Sequence, residues 1–306
     1  MVKKVVVTGG AGFTGSHLVE ALAKKGYQPI IFDSVEPRFT PEVPFIKGSV
    51  TDREATFAAL KGADAVFHLA GMLGTHETVT EAYNASMINI IGMLNVLDAA
   101  KEHGLAVLDI TKPNYWRNTY TITKIAAEEF CMMYRDEFGM NVKAARWFNV
   151  FGPRQRTEDQ GYQKAVPTFI MRTLKGQPIH IYGDGTQGTD HIYVGDAIDA
   201  TIAIFESPHM PQHPVEVGSG KEITVNEIAD VVFRLIGKSV PLEHIPMRRG
   251  ETEHTRIQAD LTALKNDIGY EPKTSFEDGI KKTIEYYRTL VPPSVATAAS
   301  YTAQSV

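Results

Sequence analysis

Cysteine is almost missing from this chain. One residue in 306, Cys131, leaves no internal disulfide possible and points to a reducing setting, the cytoplasm. Long apolar runs are missing too. No stretch approaches the length needed to cross a bilayer, so no membrane partner is expected. The chain enters a strand pattern at Val5 with no apolar leader before it, and export is not expected. Basic residues are not in excess: 31 Lys and Arg against 36 Asp and Glu give a formal charge of −5. Without a basic field, nucleic acid is not an expected partner. The histidines are scattered without metal-ligand spacing, so no metal site is expected.

What is present is alternation. Short apolar runs at Val5–Val7, Pro29–Phe32, Phe45–Ile46, Ala65–Leu69, Leu105–Ile110 and Val142–Phe148 read as strands, several apolar on both faces. Helix patterns lie between them. The first carries Leu18 and Leu22 on one face, Lys24 and Lys25 in its last turn, and Gly26 as a stop. Thr51 with Glu54 predicts a capping box for the next helix, and Gly62 closes it. Strand alternating with helix at this spacing predicts βαβ units and a mostly parallel sheet. After Phe151-Gly152-Pro153 the texture changes to a smaller α/β lobe. A helix runs from about Lys164 to Leu174, strands follow at Ile179–Tyr182 and His191–Val194, a capping box at Thr224 and Glu227 opens another helix, and a last one runs from Ser275 to Arg288. The tail from Val291 onward lacks periodicity and reads as disordered.

Thr8-Gly9-Gly10-Ala11-Gly12-Phe13-Thr14-Gly15 follows the first strand and opens the first helix. Glycine is required where the turn is tight, where backbone must touch a pyrophosphate and where helix packs on strand. The helix N-terminus then offers amide donors and a positive dipole end to the phosphates. In this strand–loop–helix context Gly9, Gly12 and Gly15 predict a dinucleotide site. Asp33 ends the second strand, 18 residues past Gly15, where a carboxylate accepts both ribose hydroxyls and repels a 2′-phosphate. NAD is therefore expected over NADP, with Arg38 as the residue that keeps NADP open.

Tyr120 and Lys124 stand four apart on a predicted helix, which puts both on one face. An ammonium beside a phenol favours the phenolate, making a base that takes a hydroxyl proton while hydride leaves the same carbon. Cys131, further along that helix, reads as a small buried side chain.

Together with Phe67-His68-Leu69-Ala70, Asn89-Ile90-Ile91-Gly92, Arg146-Trp147-Phe148-Asn149-Val150-Phe151-Gly152-Pro153, Tyr182-Gly183-Asp184-Gly185 and Arg248-Arg249-Gly250-Glu251, these motifs resemble the extended short-chain dehydrogenase/reductase superfamily, in its NAD-dependent nucleotide-sugar epimerase/dehydratase branch. The resemblance runs from Val5 to about Arg288. It implies a Rossmann-type doubly wound parallel sheet over residues 1–152 and 178–204, a smaller C-terminal α/β substrate lobe over 153–177 and 205–289, and a tail over 290–306. It further implies that Phe13, Thr14, Ser49 and Val50 lie along the cofactor with the glycines, Ser49 replacing an aspartate that often faces the adenine. Leu69, Ala70, Gly71, Trp147 and Phe148 would follow toward the nicotinamide. Asn89 would hold a proton-relay water, and Lys124 would also bind the nicotinamide ribose. Asn149 would meet the substrate, and Arg248, with Arg154 or Arg156, would meet its diphosphate. Met87, Met93, Met132 and Met133 lie on two helices that such proteins use to form homodimers.

Three departures stand out. Thr111 occupies the place of the hydroxyl that hydrogen-bonds the reacting oxygen, only nine residues before Tyr120, so the loop that walls the sugar pocket is reduced to Lys112-Pro113-Asn114-Tyr115-Trp116 and the sugar side is expected to be open. Lys112-Pro113 stands where dehydratases carry an acidic pair, which disfavours elimination or decarboxylation through such groups. Thr189 replaces an arginine that binds phosphate. The expected activity is a redox-neutral nucleotide-sugar epimerase of the UDP-glucose 4-epimerase kind. A dehydratase, decarboxylase or reductase of the same family, or a non-catalytic dinucleotide sensor, remains the alternative.

Overall fold

The structure, a computed structural model, describes residues 3–113, 116–158 and 164–291. The residues expected to form a disordered tail lie, from 292 onward, outside the described residues, as do Asn114 and Tyr115.

Seven strands form the main sheet: β1 (Lys4–Thr8), β2 (Gln28–Asp33), β3 (Phe45–Lys47), β4 (Ala65–His68), β5 (Ala106–Thr111), β6 (Val142–Trp147) and β10 (Val215–Val217), in the order β10-β6-β5-β4-β1-β2-β3. Every pairing is parallel. Helices cover both faces. Leu18, Val19 and Leu22 of α1 (Phe13–Lys24) pack with Ala197 and Ile198 of α7 (Val194–Glu206) on one side. On the other, Leu60 of α2 (Arg53–Leu60), Val96 and Leu97 of α4 (Gly92–His103) and Ala127 and Cys131 of α5 (Thr119–Phe138) surround Val66 and Val107. Strands apolar on both faces require this sandwich, since each fully buried aliphatic side chain contributes about 1.5–3 kcal/mol. The fold class is therefore the doubly wound α/β sheet expected. Cys131 is fully buried, and burial pushes its thiol well above the ordinary range.

The chain leaves β1 toward β2 and β3, then crosses to the opposite side of β1 to make β4. Adjacent strands whose connections run in opposite directions open a crevice at their carboxyl ends, and that crevice lies between β1 and β4.

The second lobe carries β7 (Asn149–Phe151), β9 (Gly188–Tyr193), β11 (Glu222–Thr224) and β13 (Arg256–Ile257) in one small sheet, and β8 (Ile179–Tyr182) with β12 (Leu242–Ile245) in another. Its core joins Phe169 and Ile170 of α6 (Ala165–Lys175), Ile228 and Val232 of α8 (Val225–Ile236), and Ile280 and Ile284 of α10 (Phe276–Arg288). The short α3 (Ala82–Ser86) and α9 (Thr262–Asn266) complete the elements.

Two strands change places relative to the sequence boundaries. Ile179–Tyr182, assigned with 178–204 to the dinucleotide half, pairs with β12, while Val215–Val217, assigned to the lobe, extends the main sheet beside β6. Apolar content alone carries no partner information, so short strands of equal hydrophobicity look alike before pairing. The capping of α2 also differs. Asp52, not Thr51, is the N-cap and accepts from Ala55 N, while the Thr51 hydroxyl bonds Ser49. The Thr224–Glu227 capping box forms as expected.

Candidate active site

A cleft of about 1130 Å³ runs from the β1/β4 crevice into the second lobe. At its dinucleotide end the turn after β1 is built from backbone. Gly9 has φ +70°, and a Cβ there would come within 2.7 Å of Ala70 N; a Cβ on Gly15 would overlap the Gly9 carbonyl. Gly12 caps α1 and, having no side chain, leaves the first-turn amides to an anion. Asp33 Oδ2 accepts from Ala11 N at 3.0 Å and Oδ1 from Val35 N at 3.2 Å, which fixes the carboxylate at the rim with lone pairs to spare. The shape and the donor set suit a dinucleotide: amides for phosphate, carboxylate for ribose.

Below this turn, Thr8 Oγ1 accepts from Leu69 N and Ala70 N, each at 3.2 Å, so its own hydrogen goes to His68 Nδ1 at 2.8 Å. Burial, and then the charge of Lys124, bring His68 down to about 3. The ring is neutral with its proton on Nε2, and it ties β4 to β1.

The centre of the cleft is formed by β5 and α5. Asn118 caps α5 by accepting from Thr121 N at 2.9 Å, and the first two turns present Tyr120 and Lys124 to the cleft. Lys124 Nζ lies 3.8 Å from Asp109 Oδ1, a fully buried carboxylate of β5. Burial raises the Asp109 pKa and the ammonium of Lys124 opposes it. Thr111 donates its hydroxyl hydrogen to Glu128 Oε2 at 2.6 Å, and Glu128 is held in turn by Arg146 at 2.5 Å. What Thr111 offers the cleft is thus a lone pair. Asn89 sits in a π-helical turn, Met87–Ile91, behind the cleft wall. Its side chain accepts from Met72 N at 2.7 Å and donates to Met72 O and Thr123 Oγ1 at 3.1 and 2.9 Å.

Lys112 was noted in the sequence only as a departure, yet it lines the cleft beside Tyr120. Its Nζ donates to Thr121 Oγ1 at 2.8 Å and stands 5.5 Å from the centre of the Tyr120 ring. Burial, with the charge of Lys164 adding to it, pulls its ammonium down to about 7. A lysine replacing an acidic pair at a strand end was the available signal.

At the far end, Asn149 donates to Thr189 Oγ1 at 2.7 Å, so Thr189, the residue that replaces the arginine of the family pattern, serves as a partner for Asn149. Arg248 grips Glu251 at 2.6 Å with its guanidinium 4.7 Å from the Tyr182 ring centre. Arg154, also on the cleft wall, is turned to α1, where it meets Ser16 at 3.3 Å and Glu20 at 2.7 Å. Among the described residues, three side-chain bonds tie the segment after Arg248 across the cleft. Thr75 donates to Glu251 at 2.6 Å, Asn118 to Gly250 O at 2.8 Å, and the Trp116 indole to Thr255 at 2.8 Å. The short loop before Tyr120 predicts an open sugar side; Trp116 and Asn118 bridge it at these points.

Gly9, Gly12, Phe13, Thr14, Asp33, Ser49, Val50, Leu69, Ala70, Gly71, Thr111, Tyr120, Lys124, Trp147, Phe148, Asn149, Arg154 and Arg248 all line this one cleft. Gly15 and Asn89 are not on its wall.

The profile of the NAD dependent epimerase/dehydratase family matches residues 5–111 and 107–218. A UDP-N-acetyl-alpha-D-glucosaminuronate decarboxylase of Bacillus cytotoxicus is 31% identical, over 95% of this chain and 99% of its own. The crystal structure of a UDP-glucose 4-epimerase with UDP-glucose from Thermotoga maritima superposes with a TM-score of 0.87 at 28% identity, covering 94% of this chain and all (100%) of that one. A UDP-glucuronic acid 4-epimerase of Bacillus cereus, in complex with UDP-glucuronic acid and NAD, gives a TM-score of 0.86 at 26% identity over 94% and 100%.

Proposed function

This chain belongs to the NAD-dependent epimerase/dehydratase family and uses NAD, and on that premise we propose that it inverts a hydroxyl-bearing carbon of a nucleotide-linked sugar. The observation that carries the reading is Tyr120 and Lys124 on adjacent turns of α5, facing a cleft that is continuous from the glycine turn to Arg248. NAD, when bound, supplies the acceptor and later the donor of hydride. Tyr120 takes the proton of the reacting hydroxyl, and the charge of Lys124 favours its phenolate. Thr111, whose own hydrogen is committed to Glu128, offers its remaining lone pair to a neighbouring hydroxyl of the sugar. Asp33 accepts the ribose hydroxyls, Arg248 faces the diphosphate with its plane set by Glu251, and Asn149 reaches the sugar side.

Incubation with UDP-glucose and NAD, followed by separation of the sugar nucleotides, tests this. Interconversion without net NADH supports an epimerase. NADH formed with each turnover means a dehydrogenase, and no product from any nucleotide sugar by protein that binds NAD means a sensor. A second reading rests on the Bacillus cytotoxicus relative: a decarboxylase would release CO₂ from a uronate.

We further place the protein in the cytoplasm as a homodimer. The support for the dimer is apolar surface along α3 to α5: Tyr83, Ile91, Ile122 and Met133 are exposed. A monomer mass by light scattering at micromolar concentration would reject it.

A further inference from the structure

We infer that His191 is a specificity-determining residue: it accepts a hydrogen bond from a hydroxyl of the sugar, and that hydroxyl is not the reacting one. The inference rests on the nucleotide-sugar reading above and deepens it.

His191 stands on β9, where alternation puts it on the same face as Thr189, while Asp190 and Ile192 are buried on the other. Beside it in register on β7 is Asn149, whose amide bonds Thr189. All three line the cleft, and His191 itself is nine-tenths buried. Its Nδ1 lies 3.0 Å from the Thr189 carbonyl oxygen, which can only accept, so Nδ1 carries the ring proton. Burial brings the ring down to about 4, with the Thr189 carbonyl opposing and the charge of Lys164 adding to the fall. The imidazole is neutral at pH 7, and Nε2 holds a lone pair. That nitrogen is at the end of the ring away from the strand, where the side chain meets the cleft, and among the described residues none bonds it. The ring is held edge-on to Phe276 and tilted to Phe151, with centroids 5.9 and 6.5 Å away, so the lone pair has a fixed place.

An acceptor in a cleft wall is costly to cover unless the ligand brings a donor. Phosphate and ring oxygens of a nucleotide sugar only accept, and the lone pair repels them; sugar hydroxyls donate. Asn149, on the sugar side, places the sugar at this wall. The reacting hydroxyl is ruled out, because its proton goes to Tyr120 and the ketone that remains has none to give. His191 thus takes a second hydroxyl and disfavours a sugar that lacks one there.

The test uses the full-length protein loaded with NAD, UDP-glucose, and four analogues in which one sugar hydroxyl is replaced by fluorine. Fluorine is small and polar but cannot donate. By calorimetry one analogue should bind the wild type at least about tenfold more weakly than UDP-glucose, equivalent to about 1.4 kcal/mol. His191→Phe keeps the ring and loses the lone pair, so it should bind UDP-glucose and that analogue alike. A wild type that binds all four analogues like the parent would overturn the inference, as would discrimination that survives His191→Phe. Should that variant not fold, nitrogen-15 NMR of the wild type decides. The Nε2 resonance should move on adding UDP-glucose and stay on adding the weakened analogue, and a resonance indifferent to UDP-glucose would overturn the inference. Every readout is of binding. A protein that discriminates in this way but interconverts no sugar would sink the epimerase reading and leave this one standing, and interconversion without discrimination would do the reverse.

Discussion

The two ends of the cleft are built from different materials. The dinucleotide end is backbone: a turn with a left-handed Gly9, a Gly15 packed against the Gly9 carbonyl, and Asp33 steadied by two amides. The sugar end is side chains that reach one another across the fold, such as Asn149 to Thr189, Arg248 to Glu251 and Trp116 to Thr255. Backbone geometry tolerates little substitution, because an added Cβ has nowhere to go. Side-chain pairs are exchangeable, and changing one partner re-shapes the pocket without disturbing the sheet. The dinucleotide end is thus fixed by the fold, and what the protein acts on is set by a few contacts.

The strongest test acts at the seam between the ends. Tyr120→Phe should cut turnover by roughly two orders of magnitude or more, the scale of general acid–base catalysis, while NAD affinity barely moves. Near-normal turnover would remove Tyr120 from the chemistry and with it the division of labour. Next in size is Gly15→Ala. Forcing a methyl against the Gly9 carbonyl should cost about 1–3 kcal/mol, the range for overpacking, and the loss should show as a lower melting temperature together with weaker NAD binding. If only one of the two falls, the packing of Gly15 on Gly9 and the binding of the dinucleotide are separable. Asp33→Asn should weaken NAD by about tenfold or more, as expected for a charge-assisted hydrogen bond of about 1.5–3 kcal/mol, and should narrow the preference over NADP. An unchanged ratio of the two dinucleotides would hand cofactor choice to Arg38. The smallest effect belongs to the sugar end. Thr189→Arg removes the partner of Asn149 but brings a cation to the wall shared with Arg248, and should tighten plain UDP a few-fold, with about fivefold as the ceiling set by one charge pair of about 1 kcal/mol. Weaker UDP binding would show that position 189 serves the sugar rather than the phosphates.

The same contrast decides what could be read before the fold was known. Gly9, Gly12, Gly15 and Asp33 are legible because a tight turn between strand and helix restricts which residues can occupy it. Tyr120 and Lys124 are legible because one helical turn fixes their relation locally. Nothing local marks Asp109 as the carboxylate under Lys124, or Glu128 as the acceptor that turns the Thr111 hydroxyl away from the cleft. Asn89 shows the limit from another side. Its motif was visible, but the bonds to Met72 and Thr123 that occupy its amide depend on a π turn that no periodicity announces. Strand pairing failed to read through for the same reason, since β8 and β10 find their partners through crossovers of dozens of residues.

The three bonds that tie Thr75, Asn118 and Trp116 to the 250–255 segment bear on endurance rather than speed. On the proposed cycle the sugar spends part of each round oxidised, and a sugar lost at that point leaves the protein holding a spent dinucleotide, out of service until it is recharged. The ratio of completed rounds to such losses is then a property of how long the gap stays shut. The ties come from two parts of the chain, Thr75 and the Trp116–Asn118 segment, and both must let go of the 250–255 segment before it moves away, so breaking any one should shorten the run of an enzyme molecule well before it changes the pace of a single round.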